Sequence, residues 1–263
     1  MHYRNILLER RQGVAVLTLD RPERLNSLND EMHTELRHAL GEVRGDSALR
    51  SLLITGAGRG FCAGQDLGDR SVDPGAEPPD LGASIEKNYN PLIRALTSLE
   101  KPVVCAVNGV AAGAGANLAL CCDIVLAAHS ASFIQGFCRI GLVPDSGGSW
   151  VLPRLVGRAR AMGLTLLSEQ LTAQQAEQWG MIWRAVADEE LMDQAMATAV
   201  QLAGMPTKGL GLSKRAINAS GGNALEQQLQ LECELQRIAG RSQDYREGVA
   251  AFMEKRAPRF KGE

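Results

Sequence analysis

Short apolar strands that run directly into glycine-dense segments limit the folds open to this sequence more than any other feature. Residues 52–55 lead into Gly-Arg-Gly-Phe-Cys-Ala-Gly-Gln-Asp-Leu at 58–67, and residues 103–107 lead into the small-residue segment 108–117. Small residues let the backbone approach a ligand, and a helix that follows directs its free N–H groups toward it. Two such loops at the ends of adjacent strands can place two N–H donors on one carbonyl oxygen, as an oxyanion hole does. Taken singly, each loop is equally consistent with an ordinary turn or with close helix–sheet packing.

The elements around these loops alternate between strands and helices and predict the α/β class. We expect a hairpin of strands 3–8 and 14–19 with a turn at 11–13, and Asn29 is a good N-cap for a helix across 32–40. Strand, crossover helix and strand recur at intervals of roughly 40–50 residues, which favours stacked right-handed ββα or βαβ turns. The other segments predicted here are a Pro-rich surface loop at 71–80, helices at 84–99 and 118–121, and a strand at 123–127.

The strand signal disappears after about residue 155, and only helical patterns follow. We therefore predict a mixed core at residues 1–200 and a helical C-terminal region at 201–263. The last long helix carries Leu229, Leu231 and Leu235 for burial against the core or a partner subunit. The predicted helices are 159–167, 173–179, 191–203, 209–219 and 225–238.

Composition excludes several classes of protein. With 45% hydrophobic and 22% charged residues and a net charge of −2, the chain has ordinary globular composition and no positive field for nucleic acid or anionic lipid. No apolar run reaches the roughly 18–20 residues of a membrane helix, and residues 1–5 do not resemble a signal peptide. The six cysteines lack CxxC spacing and the four histidines lie apart from them, which favours reduced core thiols in a cytoplasmic protein without a metal site. The three tryptophans are expected in the core.

A third motif, Gly-Leu-Val-Pro-Asp-Ser-Gly-Gly-Ser-Trp at 141–150, places Asp145 between a proline and a glycine pair that opens a helix. An aspartate here has two readings. It is either an acid/base group beside the two glycine-rich loops, or an N-cap or turn residue with no chemical role.

Five blocks, in this order and spacing, resemble the enoyl-CoA hydratase/isomerase (crotonase) superfamily over nearly the whole chain. The blocks are residues 20–27, 64–67, 108–115, 141–148 and 251–256. The resemblance implies a crotonase-like spiral of ββα turns with a helical C-terminal trimerisation region, assembled as a trimer or a dimer of trimers. It also implies an acyl-CoA thioester whose carbonyl oxygen is held by the backbone N–H groups of Gln65 and Ala114.

The carboxylates of the family discriminate between reactions. Hydratases of this family use two glutamates to activate water, and the matching positions here are Asn117 and Phe137. Neither side chain can take a proton from water at neutral pH, which disfavours hydration. Isomerases of the superfamily place a single catalytic aspartate at the position of Asp145, and apolar neighbours such as Phe137 and Trp150 would raise its basicity if they line the pocket.

Four segments (26–33, 61–67, 141–148 and 157–164) carry a closer resemblance, to the ring 1,2-epoxyphenylacetyl-CoA isomerases of bacterial phenylacetate breakdown. These isomerases convert 2-(1,2-epoxy-1,2-dihydrophenyl)acetyl-CoA to the oxepin-CoA. A Δ3,Δ2-enoyl-CoA or dienoyl-CoA isomerase of fatty-acid breakdown is the main alternative, because the sequence does not show the shape of the acyl pocket.

The resemblance further implies which residues bind the CoA part of the substrate, with no separate cofactor. Backbone atoms in the first two loops are expected to contact it, and two residues near the C-terminus to reach the CoA of a neighbouring subunit, unless they belong to a solvated helix face. These residues are Arg24, Leu25, Ala63, Gln65, Asp66 and Leu67, followed by Phe252 and Lys255. Asp66 is equally consistent with a structural turn residue. An enoyl-CoA hydratase of the same pathway is the candidate physical partner.

Two further readings stay open. In aryl-CoA dehalogenases of the superfamily an aspartate at the position of Asp145 attacks the ring covalently, but those enzymes use a tryptophan in the region where this chain has Phe137. Some members bind RNA or act as scaffolds, against which the acidic balance and the absence of a basic run both argue.

Overall fold

The computed structural model describes residues 2–66, 68 and 80–263, and its strands form two sheets. The larger sheet has the order β1-β2-β3-β5-β7-β10 and the smaller one the order β4-β6-β8-β9. Parallel pairing predominates, which fits strands joined by crossover helices. The strands are β1 (Ile6–Arg11), β2 (Val14–Leu19), β3 (Ser51–Gly56), β4 (Gly60–Cys62), β5 (Val103–Val107), β6 (Val110–Ala112), β7 (Ile124–Ala128), β8 (Ser132–Ile134), β9 (Gln170–Thr172) and β10 (Arg184–Val186).

The predicted N-terminal hairpin is confirmed, with a shifted first strand. β1 begins three residues later than the predicted strand at 3–8 and pairs antiparallel with β2, from Ile6 opposite Leu19 to Arg11 opposite Val14. The turn therefore contains only Gln12 and Gly13, both with positive φ, which is the two-residue turn that matches strand twist.

The prediction that strands end near residue 155 is wrong. β9 pairs antiparallel with β8 at the edge of the small sheet, and β10 pairs parallel with β7 at the edge of the large one. Each is only three residues long, so neither contains enough alternation to reveal a strand in the sequence.

Ten α-helices cover these sheets and form the C-terminal part of the chain as far as the structure describes it. Asn29 is the N-cap predicted for the first helix, and its side chain accepts the Met32 amide at 2.8 Å. The helix predicted over 84–99 begins earlier and contains a π-helical turn at Ile85–Tyr89. The helices are α1 (Asp30–Gly45), α2 (Leu81–Ser84), α3 (Asn90–Thr97), α4 (Ala114–Leu120), α5 (Gly148–Leu167), α6 (Ala173–Gln178), α7 (Leu191–Ala203), α8 (Thr207–Ser220), α9 (Leu225–Ala239) and α10 (Gln243–Glu254).

One helix start lies earlier than predicted, because α4 begins at Ala114 and not near 118. Glycine and alanine at this start obscure the apolar periodicity on which the prediction depends. α5 begins at Gly148, at the glycine pair predicted to open a helix, and its helical geometry breaks at Gly157 (φ 75°, ψ 162°), so the helix predicted at 159–167 is its second part. The Pro-rich loop predicted at 71–80 lies outside the described residues except for Asp80, which caps α2. None of the described helices combines the length and apolar character needed to cross a bilayer.

The hydrophobic core lies between the large sheet and its helices, and the expectation of core tryptophans and thiols is only partly correct. Trp150 and Trp183 are exposed, while Trp179 packs against the core. All six cysteines are free thiols, but Cys138 and Cys233 are exposed. A tryptophan or cysteine outside an apolar run therefore carries little information about burial.

Candidate active site

The two glycine-rich loops pack directly against each other. Gly64, with φ 89°, lies so close to the following loop that an added Cβ would stand 2.8 Å from the carbonyl oxygen of Ala112 and 3.4 Å from the amide nitrogen of Ala114. Gly115 likewise leaves no room for a Cβ beside the backbone of Cys62. Only glycine permits both approaches, so the prediction that the two loops meet is confirmed.

The backbone amides of Gln65 and Ala114 both belong to this contact, because Gly64, which precedes Gln65, packs against the amide nitrogen of Ala114. Ala114 is buried and Gln65 is half-buried. In the part of the chain that the structure describes, the neighbouring amides of Leu28, Asp66 and Asn117 donate to backbone carbonyls, whereas no acceptor takes the amides of Gln65 and Ala114. Two sheltered N–H groups without a protein acceptor can stabilise one oxyanion.

Two asparagine side chains hold the backbone of the loop between β3 and β4 through hydrogen bonds. The Asn26 amide donates to the carbonyls of Ala57 and Gly60 at 2.9 and 2.8 Å, and the Asn108 amide donates to Gly58 at 2.9 Å. Asn108 also accepts the amide of Gly56 at 3.2 Å. Both asparagines lie in motifs that the sequence analysis identified. Their hydrogen bonds to the loop were not predicted, because each bond joins segments separated by more than 30 residues.

Asp66 has a structural role in this arrangement. Its carboxylate forms a nearly buried ion pair with Arg21 at 2.9 Å and accepts the amide of Gly68 at 3.0 Å. Burial raises the pKa of Asp66, but the hydrogen bonds from Arg21 and Gly68 and the Arg21 charge hold that pKa below its ordinary value. The ion pair joins the segment after β2 to the loop after β4, so the turn interpretation of Asp66 is the one supported for its side chain.

Tyr89 contacts the side chain of Gln65. Its hydroxyl donates to Oε1 of Gln65, and Nε2 of Gln65 donates to the carbonyl of Asp66 at 3.1 Å. The Tyr89 ring is buried and meets the His33 ring edge-on at 4.4 Å between centroids. Tyr89 ends the π-helical turn, a feature often found at functional sites. The glycine-rich motifs at strand ends do not reveal Tyr89, because Tyr89 lies 24 residues from Gln65 in the sequence, on a helix.

Asp145 lies in the third motif, beside α4. Its carboxylate accepts the Ser146 hydroxyl at 2.9 Å, and its backbone carbonyl accepts the amides of the Asn117 side chain at 2.9 Å and of Gly148 at 2.8 Å. The residue is partly exposed, and the N-cap of α5 is Gly147 and not Asp145. Because Asn117 is one turn along the helix that begins at Ala114, the Asp145 loop is bound to the helix that carries the second predicted oxyanion donor.

Asn117 and Phe137 are the residues predicted to match the two glutamates of hydratases in the resembled family. Asn117 is fully buried, and the Phe137 ring packs 3.6 Å from the point where a Cβ on Gly113 would stand. Neither an amide nor a phenyl ring can take a proton from water, whereas the carboxylate of Asp145 belongs to the loop that Asn117 binds.

Two buried or half-buried thiols near the site are poor nucleophiles. Burial raises the pKa of Cys62 to about 12, despite a hydrogen bond from Gly64 that lowers it. Burial also raises the pKa of Cys121 to about 12. Only the thiolate of cysteine is strongly nucleophilic, so a raised pKa disfavours attack on a thioester by either group at neutral pH.

The remaining residues predicted to bind CoA lie partly in the loop contact and partly on the C-terminal helix. The Ala63 amide donates to the carbonyl of Leu25 at 2.9 Å, which places these two in the loop contact, and the side chain of Arg24 is exposed. Phe252 and Lys255 are exposed at the end of α10. Leu67 lies outside the described residues. Trp150, suggested as an apolar wall, has an exposed ring with the Arg154 guanidinium 4.1 Å from its centroid.

Comparisons with known proteins cover almost the entire chain. Residues 9–263 match the enoyl-CoA hydratase/isomerase family model. A 1,2-epoxyphenylacetyl-CoA isomerase from Escherichia coli is 62% identical over 257 residues, which are 98% of each chain. A probable enoyl-CoA hydratase from Rhodobacter capsulatus is 49% identical over the full length of both.

Solved structures agree with this assignment. An enoyl-CoA hydratase from Bacillus anthracis has a TM-score of 0.93 at 31% identity, covering 99% of this chain and 100% of that chain. A putative enoyl-CoA hydratase/isomerase from Mycobacterium abscessus has a TM-score of 0.90 at 36% identity, over 98% and 100% of the two chains. The predicted crotonase-like α/β fold is thereby confirmed. The family model matches residues 9–263, and the fold and the glycine-rich loops agree with that match. This chain therefore belongs to the enoyl-CoA hydratase/isomerase family.

Proposed function

We propose that this protein is an acyl-CoA isomerase that converts 2-(1,2-epoxy-1,2-dihydrophenyl)acetyl-CoA to the oxepin-CoA in phenylacetate catabolism. The observation that carries the proposal is the position of Asp145, whose backbone carbonyl accepts the side-chain amide of Asn117, one turn along the helix that begins with Ala114. The 62% identity to the Escherichia coli isomerase supports the choice of substrate.

In this proposal, backbone amides stabilise negative charge and a carboxylate transfers the proton. The amides of Gln65 and Ala114 hold the thioester oxygen and stabilise the negative charge that develops there, which acidifies the adjacent carbon. Asp145 acts as acid/base toward the substrate carbons. A single carboxylate can accept a proton at one carbon and return it to another, so no activated water is required.

The same arrangement suits a second reaction. Moving a double bond from the 3,4 to the 2,3 position of an acyl-CoA needs one carboxylate and one oxyanion hole, and Asp145 with the amides of Gln65 and Ala114 would supply them. We therefore keep Δ3,Δ2-enoyl-CoA or dienoyl-CoA isomerisation as the second candidate.

The test offers the purified protein three thioesters: the ring epoxide of phenylacetyl-CoA, a 3-enoyl-CoA and crotonyl-CoA. We expect kcat/KM for the ring epoxide to exceed that for the 3-enoyl-CoA by about tenfold or more, and hydration of crotonyl-CoA to be negligible. A reversed order of the first two would establish the second candidate, and dominant hydration would refute the role of the single carboxylate.

The same proposal extends to the assembly. We propose a core at 1–200, an oligomerisation region at 201–263, and a trimer or hexamer. Large apolar side chains on the last three helices support this, because four of them are at least 70% exposed in the single chain. They are Ile217, Leu225, Phe252 and Met253. In the assembly, Phe252 and Lys255 would reach the CoA of a neighbouring subunit.

The remaining residues proposed for CoA are in the two packed loops. Backbone groups of Arg24, Leu25, Ala63, Gln65, Asp66 and Leu67 would contact the pantetheine or adenine, with no cofactor besides the substrate's own CoA. We propose a cytoplasmic location, because free thiols are typical of proteins in a reducing compartment. The proposed partner is an enoyl-CoA hydratase of the same pathway.

A further inference from the structure

Asn117 connects two parts of the site through a buried pair of hydrogen bonds. Its side-chain amide donates to the backbone carbonyl of Asp145 at 2.9 Å, and its Oδ1 accepts Nε2 of Gln135 at 2.8 Å. Asn117 has no exposed surface and Gln135 is 4% exposed. Side-chain amide bonds at such depth are protected from competition with water and define a geometry closely.

The chemistry of these contacts requires an amide. On one side Asn117 faces a carbonyl oxygen, which needs a donor, and on the other it faces an N–H, which needs an acceptor. A carboxylate in this position would place oxygen against the carbonyl of Asp145. The side chain also packs so closely on Gly148 that no Cβ fits there, which leaves little freedom to move.

The contact acts on the residue that carries the acid/base group. Asn117 Nδ2 and the Gly148 amide both donate to the Asp145 carbonyl, so the backbone of Asp145 is held from α4 and from α5. Ser146, the next residue, has a left-handed backbone with φ 51° and donates its hydroxyl to the Asp145 carboxylate. A strained turn keeps its shape only where its surroundings determine it, and Asn117 is part of those surroundings.

We propose that Asn117 is a positioning residue that sets the distance between the Asp145 carboxylate and the oxyanion donor on Ala114. The inference rests on the proposed function, because it presumes that Asp145 is the acid/base. At the position where hydratases of the family carry a catalytic glutamate, this chain uses an amide to hold a different carboxylate in place.

The test is a double-mutant cycle with Asn117→Leu, Asp145→Asn and the double variant. We expect Asn117→Leu to lower kcat about tenfold and to leave the Kd for butyryl-CoA, an unreactive thioester, within about twofold. In the Asp145→Asn background, Asn117→Leu should lower the residual kcat less than about twofold, because no carboxylate is left to position.

Three results would overturn the inference. They are an unchanged kcat in Asn117→Leu, an equal loss in both backgrounds, and a weakening of butyryl-CoA binding that matches the loss of kcat. The last two would mean that Asn117 serves the fold or the oxyanion donors. Normal turnover of Asp145→Asn would instead refute the proposed function itself.

Two further variants keep the test interpretable. Ser51→Ala is the matched control, because it removes a buried side-chain bond to the carbonyl of Ala199 at 2.8 Å, at the opposite end of β3 from the site loop. It should lower the unfolding midpoint and leave kcat unchanged. If Asn117→Leu does not fold, Asn117→Ala and then Gln135→Leu, which removes the donor that orients the amide, are judged by the same cycle.

Discussion

Around this site, buried and half-buried asparagine side chains bind to backbone groups and so determine where amides and carbonyls point. Asn26, Asn108 and Asn117 each donate to a carbonyl in another loop. An unpaired buried carbonyl is costly, so each amide selects one loop conformation over its alternatives. The direction of the two proposed oxyanion donors therefore depends on residues that have no part in the proposed reaction.

Gly64→Ala tests whether the close approach of the two loops matters. The new Cβ would meet the Ala112 carbonyl at a residue with φ 89°, so we expect a loss of about 1–3 kcal/mol in unfolding free energy and a fall in kcat of about tenfold or more. Gly41→Ala in α1 is the control, because nothing lies within 4 Å of its Cβ and stability should be equal or higher. Unchanged kcat in Gly64→Ala would argue against Gln65 as an oxyanion donor.

Asp66→Asn tests the ion pair with Arg21 through pH. Since the pKa of Asp66 is lowered in the folded state, its carboxylate contributes stability that is complete above the ordinary value of 3.8 and is lost as pH falls through the folded-state pKa. We expect Asp66→Asn to be less stable by about 1–3 kcal/mol near pH 7, with the difference shrinking below about pH 4. Urea unfolding at several pH values measures this, and a constant difference across that range would contradict it.

At the residue scale, the glycine-rich motifs located the loops, and the resemblance to the family then singled out Gln65, Ala114 and Asp145 within the motifs. Arg21 and Tyr89 were not predicted, because their partners are 45 and 24 residues away and a single sequence contains no record of such pairs. The local part of the site is thus readable from sequence, and its long-range supports are not.

At the level of elements, long apolar strands and capped helices were predicted well, and short or glycine-rich ones were not. β3, β5 and α1 agree with the prediction because each has a continuous apolar run or a clear cap. β9 and β10 are stabilised by neighbouring strands more than by their own three residues. Their existence depends on tertiary contacts, which local patterns do not contain.

A buried carboxylate on the last helix binds the last residues of the C-terminal segment. Asp244 accepts the amides of Lys261 and Gly262, both at 2.7 Å, and its own amide donates to the carbonyl of Glu263. Asp244→Ala should lower the unfolding free energy by about 2 kcal/mol and speed hydrogen exchange at the Lys261 and Gly262 amides. Unchanged exchange at these two amides would show that the segment is held by other contacts.

The whole molecule keeps its core on the large sheet and leaves an apolar surface on the C-terminal helices. We expect sedimentation equilibrium at micromolar concentration to give about 85 kDa, three times 28.2 kDa, or twice that mass for a hexamer. Phe252→Asp should shift the distribution toward lower mass, because it places a charge on the exposed surface. A stable monomer of normal activity would contradict both the assembly and the proposed contact of Phe252 with a neighbouring CoA.

The most direct test of the central claim is the turnover of Asp145→Asn with the ring epoxide of phenylacetyl-CoA. The variant keeps both backbone amides and the size of the side chain but removes the acid/base group. We predict that kcat falls at least ~10²-fold while the Kd for phenylacetyl-CoA stays within about twofold. Turnover close to that of the unmodified protein, with binding intact, would contradict the claim that one carboxylate carries the reaction.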